Sequence, residues 1–380
     1  MKDSIRFIFC LTAVLTTGVA LAQEVDQPEV SSAPVAYVYV SRPTHLDGFA
    51  ASSSGKLTPV PGSPFAGTSV AGLAAKSKYL FGGSNNGTAV DAFEIESNGA
   101  VHLAASTPVA AGGCAYASPL VLDRSGETLY VGLLTGGLCD DSQFDSFKVE
   151  SSGKLALLGS SGQISFWNTP LAFSSNNKYA YGADCIDYEG GYLDTFAGLD
   201  RSSSGLLKFN SHFSASTPKP KSGDFFCASQ VAADSDGHVA VSLQSINSED
   251  ESAVGEPQLA AFTIGSSGNL TTKSTAANMP TASTGVNALS MSPSGKLLAV
   301  GGNGFQIFHF NGSSPITKDS GVLQPGIEFV EFAWDGGNHL YALGGGKLFV
   351  YTVTTSSIKQ ASGSPYSIPE AAGLAVVAAK

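Results

Sequence analysis

Charged residues are scarce, 13% of a 380-residue chain, about half the usual share. Only four are arginines: Arg6, Arg42, Arg124 and Arg201. No stretch sustains apolar residues at helical spacing, so long helices with solvated charged faces are excluded as the main building material. Positive charge is the scarcer sign, 20 Lys+Arg against 31 Asp+Glu for a net charge of -11. That balance argues against a nucleic-acid partner, because phosphate-backbone binders rely on clustered cations. Beyond residue 22 no apolar run approaches the roughly 20 residues of a membrane-spanning helix. The six histidines are scattered, and no G-x-S-x-G elbow, H-E-x-x-H pair or phosphate-cradling loop occurs. No metal or cofactor is expected. What is abundant is glycine, 44 residues, within a chain that is 43% hydrophobic. A sizeable core built from strands and turns is the expectation.

Lys2 and Arg6 precede an apolar run from Phe7 to Ala22 that ends Ala20-Leu21-Ala22, the small-x-small pattern of a cleaved export signal. An uncleaved anchor is the competing reading, but the run is short of a bilayer's thickness. Cleavage would leave 18 positive and 30 negative charges, a net -12, on an acidic secreted or periplasmic protein. Residues 23–34 read as a polar leader, and 35–380 as one domain. Cys114, Cys139, Cys185 and Cys227 then remain, an even number in an exported chain, which suggests two disulfides. Zinc is the alternative, yet no pair is spaced C-x-x-C and no histidine is close in sequence.

The chain repeats itself. An aromatic residue, an apolar residue two positions on and a Gly four further recur as Phe49-Ala51-Gly55, Phe93-Ile95-Gly99, Phe147-Val149-Gly153 and Phe262-Ile264-Gly268. Each copy carries a further apolar residue two positions after the Gly (Leu57, Val101, Leu155, Leu270). Looser copies lie at Phe196, Phe308 and Tyr351. Upstream of the unit, two apolar strands flank a polar turn, as in Leu289 to Val300 and Phe332 to Ala342. Seven units of four short runs predict seven four-stranded antiparallel meanders. Such units bury both faces by packing radially, so the predicted fold is all-β, a seven-bladed β-propeller. The first unit lacks its innermost strand and the tail Ala372 to Val377 resembles one; the tail is expected to join the first blade.

Tyr37-Val-Tyr-Val40, Leu129-Tyr-Val131, the Ser-Gly-Lys-Leu turns at 54–57, 152–155 and 294–297, and Leu57-Thr-Pro-Val-Pro-Gly-Ser-Pro-Phe65 with its echo Gly363-Ser-Pro-Tyr366 resemble the secreted lactonase-family propellers with Tyr-Val-Thr-Asn-type repeats. The resemblance covers the whole chain after residue 22. It implies kinship with 6-phosphogluconolactonase, with muconate-lactonising enzymes and with propellers of no assigned activity. No motif matches the channel-mouth residues of the muconate branch, so no role is carried over from it. Trp334-Asp335 is a chance match to the WD repeat, since it occurs once and at a turn.

In such a ring, the loops between second and third strands and the links between blades share one face. Arg42, His45, Asn85, Asn86, Asp140, Asp141, Asp184 to Tyr192 and Glu249 to Glu256 map there. The links add Tyr116, Trp167, Asn168, Asp224, Asn287 and Glu328. Arg124 and Arg201 map to turns of the opposite face, leaving Arg42, with Lys219 and Lys221, to pair with an anion. Arg42 and His45 are the weak catalytic candidates. Tyr116, Trp167, Asn168, Asn287 and Glu328 are candidate ligand contacts, the aromatics to stack on a neutral ligand and the polar groups to hydrogen-bond it. Asp184-Cys-Ile-Asp-Tyr-Glu189 lacks EF-hand spacing and reads as an acidic loop rather than a calcium site. The disulfides expected are Cys114 to Cys139 and Cys185 to Cys227. The favoured reading is an exported binding or scaffold protein whose acidic face takes a neutral ligand, a glycan or a protein. The other is a lactone hydrolase, in which His45 or a carboxylate activates water and Arg42 or an amide polarises the carbonyl.

Overall fold

Short β-branched and aromatic runs divided by Gly, Ser and Asn turns have no helical face to bury, and each becomes a strand in an antiparallel sheet. The computed structural model describes residues 33–66, 70–84, 88–109, 119–135, 141–162, 170–183, 186–188, 191–193, 196–210, 218–220 and 224–379. Ala33–Lys380 forms one compact unit; the expected signal and most of the polar leader lie outside the described residues. All regular elements among those described are strands, and no helix among them is long and apolar enough to cross a membrane.

Four consecutive chain segments each fold into a four-stranded meander: Val70–Lys76 through Val101–Pro108, Leu120–Leu122 through Leu155–Ser160, Ala172–Phe173 through Leu207–Phe209, and Asp224–Ala233 through Leu270–Thr272. Ala36–Arg42, His45–Ala51 and Leu57–Pro59 supply three strands of another sheet. Its fourth is the C-terminal strand Gly373–Ala378, antiparallel to the first from Ala36↔Ala378 to Ser41↔Gly373. The last two repeats are not separate sheets but one of eight strands. Leu297–His309 doubles back near Gly302 and Gly304, so that Phe310 N donates to Lys296 O at 2.8 Å. This tight turn lets Asn303 pair with Glu328 and Phe305 with Leu323 in the next unit.

The first strands of these units lie side by side. Gly373–Ala378 touches Val70–Lys76, which touches Leu120–Leu122; Ala172–Phe173 touches Asp224–Ala233, which touches Ala288–Met291; this strand touches Leu323–Trp334, which returns to Gly373–Ala378. Apolar clusters fill the spaces between consecutive units. Tyr39, Leu46 and Val377 meet Leu80 and Phe93, and Phe81 and Val90 meet Val131 and Phe147. Tyr130 and Phe144 meet Phe173 and Leu199, and Tyr181 meets Val241 and Phe262. Ala240 and Leu259 meet Val300 and Phe308, Phe305 and Ile307 meet Phe349 and Tyr351, and Leu343 and Val350 meet Val38, Val40 and Leu374. The last cluster joins the end of the chain to its beginning.

The repeated Gly has a second role beyond its turn. Tyr39, Tyr130 and Tyr181 donate through their hydroxyls to the carbonyls of Gly99, Gly205 and Gly268, at 2.9, 2.8 and 2.8 Å. Each bond runs from the second strand of one unit to the outer turn of the next, so one residue class sets both the turn and the junction. Gly99 has φ +83°, and a Cβ there would stand 2.4 Å from the Tyr37 ring. Gly99→Ala is expected to lower stability by roughly 2–4 kcal/mol, left-handed strain plus overpacking. Gly162→Ala, at φ +85° with nothing within 4 Å, should cost only about 1 kcal/mol. Urea unfolding of both variants checks this; equal losses would remove the Tyr37 clash as the cause.

Candidate functional site

Arg42 and His45 face each other across the turn Pro43-Thr44, which places them together as the sequence suggests. They do not interact with one another. Arg42 Nη2 donates to Asp47 Oδ1 at 3.1 Å, and Arg42 Nε stands 2.6 Å from Asp47 Oδ2. Asp47 is buried, so the guanidinium is neutralised in a low-dielectric setting and a substrate anion would have to displace a built-in carboxylate. His45 Nδ1 shares a hydrogen bond of 2.7 Å with Thr44 Oγ1. That contact holds the ring against the turn.

Of the proposed ligand contacts, the structure brings Asn287 and Glu328 together: Asn287 Nδ2 donates to Glu328 Oε1. Asn287 precedes the strand Ala288–Met291 and Glu328 lies in Leu323–Trp334, so the contact spans two units at the N-terminal side of their first strands. Asn303 joins them, pairing with Glu328 in register and accepting from Gly326 N at 2.8 Å. Tyr116, Trp167 and Asn168 lie outside the described residues, as do Asn85, Asn86, Asp140 and Lys221. Lys219 is exposed. Asp187 falls in a small hairpin, Ile186–Tyr188 against Gly191–Leu193. No group of three or more metal-ligating side chains occurs among the described residues. Cys227, in the strand Asp224–Ala233, is disulfide-bonded; Cys114, Cys139 and Cys185 lie outside the described residues, and with them the expected pairings.

Two acidic residues outside any motif complete the site. Glu331 interrupts the apolar run Phe329-Val330-Glu331-Phe332 and pairs with Leu343. Its Oε2 accepts a hydrogen bond of 2.7 Å from Leu374 N. In the antiparallel ladder of Gly373–Ala378, Ala379 N donates to Val35 O. Counting back by twos, Leu374 N points away from the first strand, toward the free edge. Glu331 therefore reaches the open side of the strand. Burial pushes its carboxyl up to about 8, against the opposing effect of the Leu374 hydrogen bond. Leu374 lies opposite Val40, two residues before Arg42, so Glu331 and the Arg42–His45 turn lie toward the same end of that sheet's strands. Asp145, opposite Val131 as Asp47 is opposite Val40, is buried with an amide, Gln143 Nε2 at 3.1 Å, on Oδ1. Burial raises it to about 6, partly offset by that bond. For Glu331 the signal available in the sequence is a carboxylate among Phe329, Val330 and Phe332; the polar strand of Asp145 offers none.

No family model matches the chain and no curated protein matches it significantly. Solved structures do. A candidate 6-phosphogluconolactonase of Bacteroides uniformis matches with TM-score 0.65 and 15% identity, covering 90% of this chain and 100% of that one. Another, from Bacteroides fragilis, gives 0.64 and 16%, covering 92% and 100%. The periplasmic gluconolactonase of Pseudomonas aeruginosa gives 0.60 and 14%, covering 91% and 100%. At these identities the likeness is one of fold: an all-β chain of antiparallel sheets, similar across nine-tenths of its length to lactonase-type proteins.

Proposed function

We propose that the protein is a lactone hydrolase on a closed seven-bladed β-propeller, acting outside the cytoplasm on an uncharged, sugar-type lactone. The observation that carries the activity is the fold match, over nine-tenths of the chain, to three structures bearing lactonase names. It moves the preference from a binding or scaffold role to the hydrolase. Support for the ring comes from first-strand contacts that run from Ala172–Phe173 through the C-terminal strand round to Leu120–Leu122, and from the cluster that seats Leu374 between the last unit and the first. Export is supported by the leader pattern, by the disulfide at Cys227 and by the periplasmic neighbour.

The neutral substrate follows from charge. Arg42 is occupied by Asp47, and the chain carries a net -11, so a phosphorylated lactone meets repulsion without a compensating cation. Glu331 supplies the proton chemistry. At neutral pH a carboxyl pushed up to about 8 is largely protonated and can give its proton to the ring oxygen as the acyl C–O bond breaks. Water forms the new C–O bond at the carbonyl carbon, and its proton passes to His45 Nε2. The resulting hydroxy acid then leaves and the two groups exchange protons with solvent.

The test is hydrolysis of glucono-δ-lactone and of its 6-phosphate by purified protein, each measured above its spontaneous rate. The expected result is turnover of the neutral lactone with kcat/KM at least about tenfold higher than for the phosphorylated one, about 1.4 kcal/mol in the transition state. No turnover above background, with retained binding of the lactone, would return the protein to the binding class. Preference for the phosphate would overturn the charge argument.

A further inference from the structure

At the opposite, C-terminal ends of the first strands, four successive units line an open depression of about 300 Å³. Most of its lining side chains are apolar, among them Leu122, Leu171, Phe173, Val231, Leu289 and Met291, and backbone polar groups are exposed between them. One cation lines it, Arg124, a residue that the repeat pattern assigns to a turn away from any site. Its Nε donates to Phe173 O at 2.9 Å and its Nη2 to Asp234 O, both backbone carbonyls. These anchor the guanidinium, which the Asp234 carboxylate also attracts electrostatically. The nearby carboxylates also hold other partners, Asp123 bonding Arg201 at 2.5 Å and Asn177, and Asp234 bonding His238 at 2.8 Å. Nη1 donates to no described protein acceptor. A positive fork fixed by two carbonyls, with an unused donor face against an apolar wall, is matched in charge and shape by a carboxylate carrying a hydrocarbon tail.

We propose that this depression binds a small aliphatic or aromatic monocarboxylate, its carboxylate on Arg124 and its tail against Leu122, Phe173, Leu289 and Met291. The site is separate from the Glu331 neighbourhood and does not depend on lactone hydrolysis. The apolar wall supplies affinity by removing the tail from water, and Arg124 supplies selectivity for the acid over an alcohol of equal length.

Hexanoate and hexan-1-ol, titrated calorimetrically and by saturation-transfer NMR, test the site. The wild type should bind hexanoate with a Kd of about 1 mM and hexanol at least about tenfold more weakly. Arg124→Gln, which keeps an amide donor for Phe173 O, should lose at least about tenfold for hexanoate while changing hexanol less than about twofold. A purely structural role for Arg124 would shift melting temperature without changing that ratio. If the variant does not fold, the acid-to-alcohol ratio on the wild type decides. Hexanoate that fails to bind at about 10 mM, or that binds no better than hexanol, overturns the proposal, as does undiminished binding to a folded Arg124→Gln.

Discussion

Removal of residues 372–380 is expected to abolish soluble, cooperatively folded protein. Leu374, Ala375 and Val377 are buried and belong to two clusters, one shared with the last unit and one with the second. Their loss strips Ala36–Arg42 of its partner along six residue pairs and exposes an apolar strand edge, a template for aggregation. Burial of a Leu or Val side chain contributes about 1.5–3 kcal/mol. With the ladder, the deletion removes several kcal/mol from a net stability of about 5–15 kcal/mol. Size-exclusion chromatography and circular-dichroism melting check the outcome. A truncated chain that stays monomeric and melts like the full one would show that the tail is a passive appendage.

Glu331→Gln is expected to alter stability and catalysis in opposite directions. The folded carboxyl sits at about 8, against roughly 4.3 when unfolded. Between those values the folded state holds more protons, so stability falls as pH rises through the window and is fullest below its lower end. Each tenfold change in proton affinity is worth about 1.4 kcal/mol, which sets an upper limit of several kcal/mol on the loss. The glutamine keeps an acceptor for Leu374 N and cannot ionise. The variant should match the wild type at pH 5 and melt higher at pH 9. Its kcat on the neutral lactone should fall by about 10²-fold or more, and wild-type kcat should decline above about pH 8. Identical melting at pH 9 would remove the buried carboxyl as the source of the pH dependence. Full activity in the variant would remove Glu331 from the reaction.

Much of the fold was legible along the chain because strand and turn signals are local. The Gly of each repeat has to occupy a left-handed turn, Gly55, Gly99, Gly153 and Gly268 all lying between φ +79° and +87°, so its spacing marks each outer hairpin. The tail's likeness to a first strand predicted its pairing with Ala36–Arg42, because the same apolar pattern serves any strand buried on both faces. The fusion of the last two repeats was not legible: it depends on how closely Gly302 and Gly304 let separate units approach.

The candidate site divides along the same line. Local sequence dictates which residue types reach the loop end of the first sheet, Arg42 and His45, since a two-residue turn leaves them no other register. It took the folded chain to spend Arg42 on Asp47, to bring Asn287 to Glu328 across 41 residues, to carry Glu331 to Leu374 N across 43, and to set Arg124 in the wall of a depression. The difference is one of range. Backbone preference and hydrophobic period act over a few residues and recur in every unit. Charge neutralisation, burial of a carboxyl and the shape of a depression depend on which distant strand ends are brought within hydrogen-bonding distance.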